Sequence, residues 1–250
     1  MTNIFTNPDL FRLINEYTDL RSLCDTGSLL STLKKYINYI LNKEYSLMYY
    51  DDVLFRNKVL HKIFNPYKQL HLNLGYCDNI IDVSVLGNVY ELNLRHCHNI
   101  IDVSALGNVH TLDLSDCKNI SDVSALGRRC NASPNLGEGN VHTLILNCCE
   151  ITDVSALGNV HILNLSQCNI TDVSMLGNVY ELNLSWCYNI TDVSALGNVH
   201  TLNLLGCYKI TDVSALGNCH TLNLCECTKI TDVSMLGNVY ELDLPYYLID

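Results

Sequence analysis

The chain has 250 residues, room for one or two domains, and 48% of them are apolar, which excludes a disordered chain. Its net charge of −11 is concentrated in residues 67–250, where 7 Lys and Arg stand against 19 Asp and Glu, and this acidity argues against a nucleic-acid partner. No apolar stretch approaches the roughly 18 residues that cross a membrane, and the first residues do not resemble a secretory signal. We therefore expect a globular protein that is not secreted and binds neither membranes nor nucleic acid.

Residues 1–66 carry no repeat and predict a small all-α domain. A first helix begins after Pro8, and a second short segment spans residues 19–23. The third predicted helix is carried by apolar residues at helical spacing, namely Leu29, Leu30, Leu33, Tyr36, Ile37, Ile40 and Leu41. Residues 51–64 predict a fourth helix that caps the first repeat.

From residue 67 to residue 250 the sequence repeats about nine times around an L-x-L pair. The pairs begin at Leu72, Leu92, Leu112, Leu144, Leu163, Leu182, Leu202, Leu222 and Leu242. Most offsets are 20 residues, two are 19, and one is 32. The long offset contains an insert at residues 128–139, and each short offset lacks one residue after the cysteine of the repeat.

One unit, residues 199–218, shows what each part of the repeat does. Its V-x-x-L-x-L segment alternates and predicts a short strand with the leucines inward, followed by a buried Cys207 at the turn. Asp212 is placed to cap a single helical turn that Gly217 ends. Because one unit cannot bury its own apolar face, the units must stack. The fold class predicted is an α/β solenoid with a curved parallel β-sheet and short helical turns on its convex side.

This pattern resembles the leucine-rich repeat, L-x-x-L-x-L-x-x-N/C-x-L, with Val at the first Leu position and Cys at the Asn position. The C-x-N-I-T-D continuation resembles the cysteine-containing subclass of F-box/leucine-rich-repeat proteins. The unit of about 20 residues is nearer in length to the short repeats of internalins. The near-identical N-V-H-T-L-N-L units look like leucine-rich-repeat proteins of giant amoeba-infecting DNA viruses, which implies a location in the host cytoplasm or nucleus.

Residues 7–45 also resemble an F-box, an amphipathic helix after a proline followed by a D-L-x-x-L segment and a third helix. The residues that match and would dock are Pro8, Leu10, Ile14, Leu20 and Leu23. Asn7 stands where an F-box has Leu, and the usual Trp near its end is absent. The resemblance implies docking to a Skp-family adaptor of a cullin ubiquitin ligase. The alternative is that the whole domain only caps the solenoid.

Three further columns recur once per repeat. The aspartates are Asp82, Asp102, Asp122, Asp153, Asp172, Asp192, Asp212 and Asp232. The cysteines are Cys77, Cys97, Cys117, Cys149, Cys168, Cys187, Cys207 and Cys227. The rings are Tyr90, His110, His142, His161, Tyr180, His200, His220 and Tyr240. Since catalytic residues are not repeated in every turn, we predict caps, reduced structural thiols and a stacked ring ladder, with no metal, no cofactor and no enzymatic activity.

The strand face is the predicted binding surface. The column between the paired leucines is mostly Asn, from Asn73 to Asn223, and predicts a ladder of side-chain amides. The next two columns vary, and exposed aromatic and Arg residues are typical interface anchors. The candidate protein-binding residues, including two from the insert, are Arg95, His96, Asp116, Arg128, Arg129, Gln167, Trp186 and Glu226.

Two functions remain open from the sequence. The first is a protein-interaction module, with the narrower hypothesis of a substrate adaptor for a cullin-type ubiquitin ligase. The second is a structural scaffold with no specific ligand. Near-identical repeats favour the scaffold, whereas the insert favours the interaction module, because insertions in solenoids tend to line up with binding faces.

Overall fold

The computed structural model describes residues 39–63, 69–127 and 141–248. Its strands, β1 to β10 in chain order, span Tyr39–Leu41, Leu70–Asn73, Glu91–Asn93, Thr111–Asp113, Thr143–Ile145, Ile162–Asn164, Glu181–Asn183, Thr201–Asn203, Thr221–Asn223 and Glu241–Asp243. Two α-helices follow β1 in the chain, α1 (Lys43–Asp51) and α2 (Val53–Ile63). Short 3-10 helices span Ser84–Leu86, Ser104–Leu106, Ser124–Gly127, Ser155–Asn159, Ser174–Leu176, Ser194–Leu196, Ser214–Asn218, Ser234–Leu236 and Tyr246–Leu248.

Several predicted residues lie outside the described ranges. They are the F-box-like residues Pro8, Leu10, Ile14, Leu20 and Leu23, and Arg128 and Arg129 of the insert at 128–139.

The ten strands form one parallel sheet in which each strand pairs with the next one along the chain. The register places equivalent leucines side by side, as in the pairing of Leu72 with Leu92 and of Leu92 with Leu112. One strand and one 3-10 helix per repeat, stacked in sequence order, make this an α/β solenoid of the leucine-rich-repeat type. The predicted fold class is confirmed.

The sheet begins upstream of the repeat. Strand β1 pairs with β2 over three residues, so the predicted third helix is wrong where it covers Ile40 and Leu41. Pairing along the edge of a sheet outweighs the helical spacing of a short apolar segment, since propensity is a weak guide against tertiary contacts. Helix α2 confirms the fourth predicted helix over most of residues 51–64. The compact unit that contains the sheet starts at Tyr39, so the predicted boundary at 66/67 falls inside it.

Helix α1 packs against the first two strands. It begins at Asn42, whose side-chain oxygen accepts the N–H of Tyr45 at 2.9 Å. The buried Ser46 hydroxyl donates to the carbonyl of Leu41 at 3.2 Å and accepts the N–H of Asn73 at 3.0 Å. One side chain therefore ties the helix to both strands, which is the contact expected of a cap.

The interior consists of the same columns in every turn, namely the paired leucines, the cysteine, and the isoleucine, valine and leucine that follow it. From Cys97 onward, the thiol of this column donates to the preceding repeat, as Cys117 does to the carbonyl of Leu94 at 3.2 Å. Burial raises the pKa of Cys117 to about 12, so the thiol keeps the proton that this bond requires. The predicted buried thiols are confirmed for the repeats that the structure describes.

The 3-10 turns confirm both predicted roles. Asp102 accepts the N–H of Ser104 at 2.8 Å, the capping bond that the sequence predicts. Gly87 directly follows the last residue of its 3-10 helix, and its φ is −64°. A Cβ there would lie 2.3 Å from the carbonyl oxygen of Ala105, so glycine is needed where neighbouring turns touch.

Candidate protein-binding surface

The turn after each of the strands β2 to β9 carries one residue in a left-handed backbone conformation. We call these residues the turn column: Tyr76, His96, Asp116, Cys148, Gln167, Trp186, Gly206 and Glu226. Their φ angles lie between 57° and 71°. Seven of the eight are not glycine, and a left-handed residue with a Cβ costs roughly 1–2 kcal/mol. The chain keeps this conformation in the eight turns after β2 to β9 although the side chain changes, whereas Tyr246 after β10 begins a 3-10 helix.

Two hydrogen bonds fix the turn. The Asn93 side-chain oxygen accepts the N–H of Arg95 at 3.0 Å, two residues further on. The N–H of His96 then donates to the carbonyl of Ser115 in the next repeat at 2.8 Å. The Asn column is thus a set of local turn caps. The predicted ladder of amides between strands is wrong, because each of these side-chain oxygens accepts the N–H two residues further on in its own repeat.

The upstream part of the turn column brings three predicted residues together. The rings of Tyr76 and His96 stack with centroids 4.5 Å apart, and the guanidinium of Arg95 lies 6.0 Å from the Tyr76 centroid. His96 Nε2 lies 3.4 Å from a carboxylate oxygen of Asp116. Tyr76, which is 63% exposed, belongs to this cluster and is missing from the predicted set.

The downstream part is an aromatic cluster around Trp186. Its ring lies over Gly206, where a Cβ would come within 2.4 Å of the indole. Tyr188 and Tyr208 stack on each other at 5.7 Å, and their centroids lie 6.3 and 5.9 Å from that of Trp186. Both tyrosines are missing from the predicted set, because they follow the buried cysteine and so lie outside the two varied columns of the predicted binding surface. Their signal was an aromatic residue at the same position in two successive repeats.

The remaining predicted residues are also in the turn column. Gln167 is exposed and lies one repeat before Trp186. Glu226 is exposed and lies one repeat beyond Gly206. The described candidates therefore occupy one edge of the sheet, as two clusters with Cys148 and Gln167 between them.

The ring column precedes the strands and confirms the predicted ladder. Neighbouring rings from Tyr90 to Tyr240 stack with centroids 4.4 to 4.9 Å apart. Burial lowers the pKa of His110, and the neighbouring imidazole of His142 lowers it further. Burial likewise lowers the pKa of His142, with a further contribution from His161. These two imidazoles are therefore more readily kept neutral than a free histidine.

Within residues 39–63, 69–127 and 141–248, no three His, Cys, Asp or Glu side chains are grouped so that they could hold a metal ion. No helix in those ranges is long and apolar enough to span a membrane.

No protein-family model and no curated protein sequence matches the chain. Among solved structures it is similar to an internalin from Listeria monocytogenes, with 26% identity over 72% of this chain and 54% of the other, at a TM-score of 0.49. Internalin C2 from that organism is 24% identical over 71% of this chain and 67% of the other, at a TM-score of 0.40. The functional domain of InlJ, also from L. monocytogenes, includes a cysteine ladder and is 22% identical over 72% of this chain and 44% of the other, at 0.48. The chain thus spans about half the length of the first internalin, and its fold is established by its own strands and turns.

Proposed function

We propose that the protein is a non-catalytic protein-binding solenoid whose partner contacts the turn column and the adjoining tyrosines. One observation carries the proposal: the turn column holds eight different residue types on one repeated backbone conformation. A scaffold without a ligand needs no such variety, because the same small residue would satisfy every turn. The exposed ring of Tyr76 and the cluster around Trp186 supply the aromatic groups that are enriched at binding sites.

Affinity capture with the purified chain tests this proposal. Trp186→Ala should lose a partner that the unaltered chain retains, because truncating a central aromatic anchor costs on the order of 2 kcal/mol or more. Met175→Ala is the matched control. Met175 is exposed in the 3-10 helix Ser174–Leu176, away from the turn column, so this variant should retain the partner. A partner held equally by both variants, or none at all, favours the scaffold function.

We further propose that this partner is a substrate and that the chain is an adaptor of a cullin-type ubiquitin ligase. The resemblance of residues 7–45 to an F-box supports this. Strand β1 occupies residues 39–41 of that segment, so the docking part would be confined to residues 7–38. Binding of the full chain to a Skp-family adaptor is the test, with Leu10→Ala plus Ile14→Ala expected to weaken it by about 2–4 kcal/mol. Lack of association at micromolar concentrations would remove the ligase from the proposal.

We also propose a viral origin and a reducing compartment, the cytoplasm or nucleus of the host cell. The near-identical units support the first. The second is supported by the free cysteines of the described chain, most of which are buried one per turn. Counting thiols in denaturant without reductant should give all 13. Several disulfides would overturn the assigned compartment.

A further inference from the structure

The two short repeats create a notch beside the aromatic cluster. In a full-length repeat, a two-residue turn such as Tyr188–Asn189 separates the buried cysteine from the isoleucine. After Cys149 and after Cys168 only one residue is present, and that turn is missing. Two missing turns in succession leave an open cleft of about 310 Å³, which we call the short-turn notch.

The rim of the short-turn notch is polar and aromatic. It includes Glu150, Gln167, Asn169, Tyr188 and Asn189, and the other lining residues are Cys148, Cys149 and Cys168. The side chains of Glu150 and Gln167 form no hydrogen bond or ion pair with other described residues, and both residues are exposed. A carboxylate and an amide are thus available to a ligand.

The downstream wall of the notch, Tyr188 and Asn189, is held in place by the next repeat. Tyr208 stacks on one face of Tyr188 with ring planes 11° apart, so the other face is the one available to a ligand. Asn189 accepts a hydrogen bond from the Lys209 ammonium at 2.6 Å and donates one to the Asn169 side-chain oxygen. This relay occupies Lys209 and fixes the amides of the wall, and such preorganisation lowers the entropic cost of binding.

The charge of the notch selects a cation. Glu150 is the only ionisable Asp, Glu, Lys, Arg or His side chain among its described lining residues. The surrounding region, residues 67–250, carries 7 basic and 19 acidic residues, so the wider field also attracts positive charge. A carboxylate and an aromatic ring that line the same cleft offer a guanidinium paired hydrogen bonds to oxygen and a ring to stack on.

We propose that the short-turn notch binds an arginine side chain presented by a protein partner, a site that rests on the protein-binding function and names its chemistry. The guanidinium pairs with Glu150, stacks on the free face of Tyr188 and donates to the side-chain oxygen of Gln167. Arginine fits better than lysine, because its planar group has five donors and stacks on aromatic rings, whereas a lysine ammonium is compact and strongly hydrated.

The single tryptophan of the chain makes the notch measurable. Trp186 lies 6.3 Å from Tyr188, so its fluorescence reports on a ligand placed against that ring. We would titrate the full chain with a short arginine-rich peptide and with the same peptide carrying citrulline, which has nearly the same shape but no charge. We expect a saturable change with arginine by about 1 mM, the affinity range of a small fragment, and no comparable change with citrulline.

Two substitutions distinguish binding in the notch from general electrostatic attraction of the peptide to an acidic protein. Glu150→Gln should weaken the arginine peptide roughly tenfold, the effect of losing one charged hydrogen bond. Glu181→Gln removes a carboxylate that is also exposed, at the start of β7, and should leave binding unchanged. Melting curves of both variants should match that of the unaltered chain.

Three results would overturn the proposal: equal binding of the citrulline peptide, an unchanged affinity of Glu150→Gln, or no response to the arginine peptide. None of these outcomes affects partner capture by the turn column, so failure of the arginine site is distinguishable from failure of the protein-binding function.

Discussion

The solenoid contains two sets of repeated positions that treat variation in opposite ways. In the interior, Leu112, Cys117 and Ile120 are fully buried, and the same residue types recur in nearly every turn. In the turn column, the backbone is the constant and all eight side chains differ. The interior residues set the backbone position of each turn residue. The side chain of a turn residue is therefore not required for the stability of the fold. This division is typical of a frame that presents a surface to a partner.

The largest expected effect comes from breaking the interior. Leu202→Asp puts an unpaired charge at a position that is 1% exposed, and we expect a loss of more than about 4 kcal/mol. Since each turn depends on its neighbours, hydrogen exchange should show lost protection in β7 and β9 as well as in β8. Thr201→Glu is the control, because Glu occupies that position in β3, β7 and β10. An unchanged melting curve for Leu202→Asp would contradict the account of the core.

The second-largest loss of stability should come from disturbing the contacts between neighbouring 3-10 turns. Gly197→Ala places a Cβ 2.4 Å from the carbonyl oxygen of Ala215, and overpacking of this kind costs about 1–3 kcal/mol. Gly237→Ala alters the same repeat position at the last described turn, where a Cβ meets no atom of the described chain within 4 Å. Denaturant unfolding should show a change within about 0.5 kcal/mol there. Equal losses for both variants would show that close approach is not the reason for glycine.

Removing one turn cap should have a smaller effect. Asp192 accepts the N–H of Ser194 at 2.9 Å, and this bond is the largest of the effects that lower the pKa of its carboxyl group. A lowered folded pKa contributes stability above the unfolded value, and this contribution is lost as the pH falls through the folded value. Asp192→Ala should therefore lower the melting temperature at pH 7 less than Gly197→Ala does, and the difference from the unaltered chain should shrink below pH 4. Asp192→Asn, which keeps an acceptor oxygen, should lose less.

The ring column should give the smallest effect and a different pH window. The pKa of His110 is lowered from 6.5, so the unfolded chain binds its proton first as the pH falls. Stability from this group is complete above pH 6.5 and declines below it, levelling off below the folded pKa. His110→Tyr keeps a ring in the stack and should flatten the decline in melting temperature between pH 7 and 5.5. Melts at pH 8, where the imidazole is neutral, measure any effect of the substitution that is unrelated to protonation.

The sequence predicts most of the interior because its period is simple. The L-x-L pairs fix the strands, and one cysteine per turn can only be buried, so β2 to β10 and the thiol column follow from spacing alone. Strand β1 could not be predicted in this way. Its three residues lie within a helical apolar pattern and become a strand only by pairing with β2.

The candidate site is less visible in the sequence, because its backbone carries almost no signal. In the turn column, only the glycine at position 206 indicates a left-handed conformation from its residue type, whereas Trp and Gln, as at Trp186 and Gln167, rarely adopt one. The varied column itself was predicted, and with it the positions of His96 and Asp116. The contacts of Tyr188 and Tyr208 required the structure, as did the cleft that follows from two 19-residue offsets.

Gly237 retains the residue type that contact between turns requires, although no described turn lies against it. One more 20-residue unit stacked on this turn would meet the same backbone contact that the other glycines make. An array of such units can be lengthened by duplicating a stretch of its gene, since the added unit needs no compensating substitutions. Each duplication would also add a position at the turn edge whose side chain can diverge, so that binding surface grows with the length of the array.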